Sequence, residues 1–138
     1  MTSDALGSGV VSQSINGLDS REFRASYMAH GLRAYLADQI RALRGNRSQR
    51  EFGRSIGKPQ SVVSRLENED YGKLTLQTLL DIAENLDIAL VVRFADFPTF
   101  LRTVAETSPD AMAPPAYSDG SAEGIARLGR SGDKPVSP

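Results

Sequence analysis

The stretch Ser48-Gln49-Arg50-Glu51-Phe52-Gly53-Arg54-Ser55-Ile56-Gly57-Lys58-Pro59-Gln60-Ser61-Val62-Val63-Ser64-Arg65-Leu66-Glu67-Asn68 decides how this chain folds. It reads as two short helices joined by one tight turn. Ser48 stands three residues ahead of Glu51, which is a capping box: the hydroxyl accepts the Glu51 N–H, and the Glu51 carboxylate reaches back to the Ser48 N–H. Phe52 and Ile56 supply a buried stripe, Gly53 allows a neighbouring helix to come close, and Gly57 supplies the turn. Pro59, at the first position of the next helix, has no N–H to leave unpaired and fixes φ. Val62, Val63 and Leu66 then form an apolar side, while Gln60, Ser61, Ser64 and Arg65 are left to face solvent or a ligand.

Upstream, Met28, Leu32, Tyr35, Leu36, Ile40 and Leu43 recur at spacings of three and four, which predicts an amphipathic helix over 21–44 with Gly31 as its weak point. Gly45-Asn46 ends it with residues that tolerate left-handed backbone. Residues 1–20, rich in Ser, Gly and Asp, read as a mobile arm. Downstream, a loop through Asp70, Tyr71, Gly72 and Lys73 leads to Thr75, which caps a helix carrying Leu76, Leu79, Leu80, Ala83 and Leu86. Ile88 to Phe94 is apolar on both alternations and reads as a strand. Pro98 opens a last short helix with Phe97, Phe100, Leu101 and Val104. The domain is thus expected over 21–104. Pro, Ser, Gly and Ala dominate 105–138, which read as a disordered tail; Ile125, Ala126 and Leu128 with Arg127 and Arg130 could there form a short partner-binding helix.

With 138 residues there is room for one small domain and tails. The net charge of -1 conceals a strong polarity: residues 21–73 hold eleven Lys/Arg against six Asp/Glu, while every flanking region is acidic. Between Arg41 and Arg65 there are seven bases (Arg41, Arg44, Arg47, Arg50, Arg54, Lys58 and Arg65) and a single acid, Glu51. A basic face with acidic flanks fits a nucleic-acid partner better than a membrane. There is no cysteine, hence no disulfide framework and no Cys-based zinc site. No secretion signal and no long apolar run is visible, so the expectation is a soluble, cytoplasmic, nucleoid-associated protein needing no metal or other cofactor.

Two short helices in this arrangement can form a helix-turn-helix, which lays its second helix in the DNA major groove. Residues 32–86 resemble the XRE, or Cro/repressor-like, helix-turn-helix family through Ser48-Gln49-Arg50-Glu51-Phe52-Gly53, Ile56-Gly57 and Ser61-Val62-Val63-Ser64-Arg65-Leu66-Glu67-Asn68. The resemblance implies an all-α, lambda-repressor-like bundle of about five helices, here with one added C-terminal strand. It implies that Gln49 clamps a phosphate and the side chains opening the recognition helix. It also implies that Gln60, Ser61 and Ser64 touch base edges with Arg65 at the groove edge, and that Asn68 lies near the DNA backbone. Gln60 donates and accepts at once, which suits adenine N6/N7, and Arg65 suits guanine O6/N7 or a phosphate. Arg44, Arg47, Ser48, Gln49, Arg50, Lys58, Asn68 and Lys73 are the expected phosphate contacts. Glu67, an acid on that helix, is read as pairing with a neighbouring Arg. Two positions depart from the family pattern: Arg47 stands where an apolar residue is common, and Lys58-Pro59 where a Ser or Thr cap is common.

A lone strand leaves N–H and C=O groups unsatisfied on both sides. Within the chain its only partner would be the arm near Val10-Val11; between two chains, antiparallel pairing through Ile88, Leu90, Val92 and Phe94 would satisfy it and set two recognition helices on one DNA face. Gly53-Arg54-Ser55-Ile56-Gly57 matches the G-x-S-x-G nucleophile pattern, but that pattern requires a preceding strand and a later His, and the only histidine, His30, lies upstream. No nucleophile–base or metal constellation is present, so an enzyme is not expected. The expected function is a dimeric, sequence-specific transcription regulator on double-stranded DNA. The alternatives are an antitoxin that masks a toxin through its tail or strand and represses its own operon, and an interaction adaptor without DNA binding.

Overall fold

The computed structural model describes residues 17–130, and the expected arm before residue 17 and the end of the tail after residue 130 lie outside it. The described residues form seven helices: α1 Arg21–Arg44, α2 Gln49–Ile56, α3 Gln60–Leu66, α4 Leu76–Leu86, α5 Phe97–Ala105, α6 Pro109–Met112 and α7 Asp119–Arg130. The architecture is all-α, with two more helices than the five expected from sequence.

Local chemistry sets the helix boundaries. The Ser20 hydroxyl accepts the Phe23 N–H at 3.3 Å to open α1, and Gly45, at φ +59°, closes it by donating its N–H to the Arg41 carbonyl. Ser48 caps α2 by accepting the Glu51 N–H at 3.1 Å. Only this half of the capping box forms; the Glu51 carboxylate does not return to the Ser48 N–H. Gly57 adopts the left-handed conformation (φ +68°, ψ 30°), and Lys58 N–H then donates to the Gly53 carbonyl at 2.8 Å. Pro59 sits at the cap of α3 with no side-chain bond, one residue ahead of the first helical position expected for it. Thr75 caps α4 by accepting the Thr78 N–H at 3.2 Å.

One core holds α1 to α4 together. Ile40 from α1, Phe52 and Ile56 from α2, Val63 and Leu66 from α3 and Ile82 from α4 are buried against one another, with Leu43, Val62, Leu74 and Leu86 packed around them. Phe52 and Val63 are fully inaccessible. Gly53 earns its place: a Cβ there would run into the Lys58 carbonyl and lie 3.3 Å from Val63 Cγ2, so the α2–α3 approach requires glycine. α1 runs continuously through Gly31, and the Phe100 ring of α5 lies over it, 3.4 Å from where a Cβ would stand.

Two expectations are corrected. Residues 88–96 form no strand and have no regular structure. The physical reason is that a strand exists only as part of a ladder, and among the described residues nothing pairs with the backbone of 89–95. Of the four residues expected at a dimer interface, Ile88 and Leu90 are partly buried, whereas Val92 is 69 % exposed and Phe94 fully so. The tail expected to be disordered from residue 105 is instead structured through the described residues. Tyr35 donates its hydroxyl to the Glu106 carbonyl at 2.9 Å, Gln39 donates Nε2 to the Ala111 carbonyl at 2.8 Å, and Tyr117 N–H donates to the Asp87 carbonyl at 2.9 Å. Residues 106–117 thus run back along α1 as a strap that ends at the C-terminus of α4. Compositional bias concealed this because the strap is held through its backbone carbonyls and one N–H, which nearly any sequence provides.

Candidate nucleic-acid interface

The turn at Gly57 presents α3 with one side inward and one outward. Val63 and Leu66 enter the core, while Gln60, Ser61, Ser64 and Arg65 are all exposed. Ser61, Ser64 and Arg65 make no side-chain hydrogen bond among the described residues, so their polar groups are available to a ligand. Gln60 is held: its Nε2 donates to Gln49 Oε1 at 2.7 Å. That contact joins the first residue of α2 to the first residue of α3.

Behind this contact lies a buried acid. Glu67, at the C-cap of α3, is 6 % exposed. Its carboxylate receives Arg44 Nε at 3.1 Å on both oxygens and Arg44 Nη2 at 2.9 Å on Oε1. Gln49 Nε2 donates to Glu67 Oε2 at 3.2 Å, and Arg41 donates to the Glu67 carbonyl. A buried carboxylate is tolerable only when paired and hydrogen-bonded, and here three side-chain N–H sources meet that demand. The expected Arg partner of Glu67 is therefore Arg44, 23 residues away in sequence.

The residues expected to hold phosphates divide into two sets. Arg44 is committed to Glu67. Lys58 pairs with Asp81 of α4 at 2.8 Å, and this hydrogen bond, followed by one from Gln77, holds the Asp81 carboxyl below its ordinary pKa. Arg47 lies over the Phe52 ring, 5.1 Å from its centroid, and donates to the Leu43 and Arg44 carbonyls; it shields the core where an apolar residue is common. Ser48 caps α2, and Asn68 accepts the Asp70 N–H at 3.0 Å in the turn after α3. Arg50 and Lys73 are exposed and make no intramolecular side-chain contact among the described residues. So is Arg54, which the sequence reading counted in the basic cluster but did not single out; its position one turn after Arg50, opposite the Phe52–Ile56 stripe, was the available signal.

Comparison with protein families returns one match at this site: residues 39–92 fit the family model described as Helix-turn-helix. This segment is a helix-turn-helix domain of the XRE type. The family is one of DNA-binding regulatory domains rather than of enzymes. The matched segment runs from the last turns of α1 through α4 into the segment after it and holds the buried cluster of Ile40, Phe52, Ile56, Val63, Leu66 and Ile82, the α2–α3 turn and the Glu67 cluster. Comparison with curated proteins and with solved structures returned no match. Among the described residues no helix is long and apolar enough to cross a membrane, and no group of three or more potential metal ligands is assembled.

Proposed function

We propose that this protein is a sequence-specific transcription regulator that binds an inverted-repeat operator as a homodimer, in the cytoplasm and on the nucleoid. The observation that carries the reading is the outward face of α3, with Gln60 fixed against Gln49 and Ser61, Ser64 and Arg65 unengaged beside it. Gln60, Ser61, Ser64 and Arg65 read base edges, and Arg50 and Lys73 hold phosphates together with Gln49 and Asn68. Arg44, Arg47, Ser48 and Lys58 contribute by fixing the shape of the surface, since each is already engaged within the chain.

Dimerisation is assigned to residues 88–94. Among the described residues the backbone groups of 89–94 have no partner, and Val91, Val92 and Phe94 are exposed, so pairing with the same segment of a second copy about a two-fold axis supplies both the ladder and the cover. The two α3 helices then address half-sites about 34 Å apart, one turn of the duplex. The antitoxin reading draws support from α7, on which the apolar side chain of Ile125 is exposed. Co-purification of a neighbouring gene product that is lost when α7 is deleted would favour it.

Selection from a random duplex pool tests the main reading. An enriched inverted repeat is expected, with affinity falling steeply as salt rises. Gln60→Ala should relax preference at one position per half-site by about 1–3 kcal/mol, while Arg50→Ala weakens all sequences alike. Leu90→Asp or Val92→Asp should sediment as a monomer. An unselective pool refutes base reading; a dimer that survives both Asp substitutions refutes the interface.

A further inference from the structure

We infer that Glu67 is a positioning residue for base recognition: it fixes which end of the Gln60 amide faces the DNA. The inference rests on the proposed reading of α3 as the base-contacting helix. It follows from the order of donors and acceptors along Glu67, Gln49 and Gln60.

A carboxylate engaged by Arg44 through Nε and Nη2 is ionised and accepts only. The Gln49 side chain, 3.2 Å from Glu67 Oε2, must therefore turn its NH2 toward Glu67 and its oxygen toward α3. An amide can be placed either way round by shape alone, and here the acidic neighbour removes the choice. The Gln49 oxygen in turn requires a donor, so Gln60 presents Nε2 to it at 2.7 Å. One N–H of Gln60 is consumed inside the protein. Its Oε1 and second N–H remain, in a fixed order along the groove, as one acceptor and one donor.

That order carries sequence information. Adenine offers N7 as acceptor beside N6–H as donor, and a glutamine edge matches the pair only when its donor and acceptor lie in the corresponding sequence. Reversing the Gln60 amide reverses the order and favours a different base or the opposite strand. Glu67 is 5 % exposed at its side chain and lies behind Gln49, so it affects the choice without touching the duplex. Replacing it by glutamine keeps the shape, but Arg44 holds the new amide oxygen, the new NH2 faces Gln49, and both Gln49 and Gln60 must turn over.

The test compares the wild type, Glu67→Gln, Gln49→Ala and the double variant on duplexes in which the base opposite Gln60 is varied, with random duplex as the reference for general affinity. Glu67→Gln should lower discrimination at that base on the order of tenfold and change random-duplex affinity little. In the Gln49→Ala background the same substitution should add nothing, because the link is already cut. A merely structural role would shift all duplexes together and persist in that background. Should Glu67→Gln fail to fold with Arg44 left unpaired, Arg44→Met with Glu67→Gln removes both charges and is read the same way. Discrimination unchanged by Glu67→Gln, or lowered equally without Gln49, overturns the inference alone. A wild type with no base preference overturns the DNA-reading proposal and this inference with it.

Discussion

The two halves of the described chain are stabilised by different means. Between Gln39 and Asp87, four helical segments share one core, and the polar groups beside it find charged partners: Arg44 with Glu67, Lys58 with Asp81. Between Ile88 and Tyr117 no residue is fully buried, and the attachments of this stretch include backbone-directed hydrogen bonds from Tyr35, Gln39 and Tyr117 and the Phe100 ring over Gly31. In the first half shape is set by packing. The second is a wrapping in which the apolar residues Val91, Val92 and Phe94 stay exposed among the described residues.

Thermal or denaturant unfolding of variants in each half measures this difference. The largest loss is expected for Phe52→Ala, about 3–5 kcal/mol, because a fully buried ring leaves a cavity that the surrounding helices cannot close. If it costs no more than a surface change, the core is not where the structure puts it. Arg44→Met should follow at about 3 kcal/mol, since it strands the buried Glu67 carboxylate with only Gln49 to receive it. In the wrapping, Gln39→Ala removes one hydrogen bond to the Ala111 carbonyl and should cost about 1 kcal/mol. A loss as large as that of Phe52→Ala would mean that the strap belongs to the core and would erase the distinction. The smallest effect is confined to acid. Asp81 is held below its ordinary pKa by Lys58 and Gln77, so its contribution is present above the unfolded carboxyl pKa near 4 and fades as pH falls through the depressed folded value. Asp81→Asn should therefore flatten the stability profile below about pH 4 and leave the shape of the curve above it unchanged.

The same contrast explains what could be read from the sequence. The capped α2, the Gly57 turn and the inward Val63 and Leu66 follow from local rules acting over a few residues, and all are in place. The outward Gln60, Ser61, Ser64 and Arg65 follow from the same helical period. Which cations are free could not be read. Arg44 and Lys58 look like phosphate ligands in a basic cluster until helix packing brings Glu67 and Asp81, each 23 residues away, against them. Arg47 looked like a departure from an apolar position, yet its stem and guanidinium cover Phe52 as an apolar side chain would. The strap escaped notice for a different reason. Its carbonyls accept from Tyr35 and Gln39, and carbonyls carry no residue-type signal. The segment 88–94 has the pattern of a strand, but a pattern states only what a partner would find, and the described residues supply none.

The central claim is that the exposed side of α3 is where DNA is read. Titration of isotope-labelled protein with its selected duplex, followed through the side-chain amide signals of Gln49 and Gln60 and the backbone signals of residues 60–65, tests it most directly. The account predicts that both amides and this backbone stretch shift together and saturate at one half-site per chain. Shifts confined to α1, α5 or α7, with Gln60 unmoved, would contradict it.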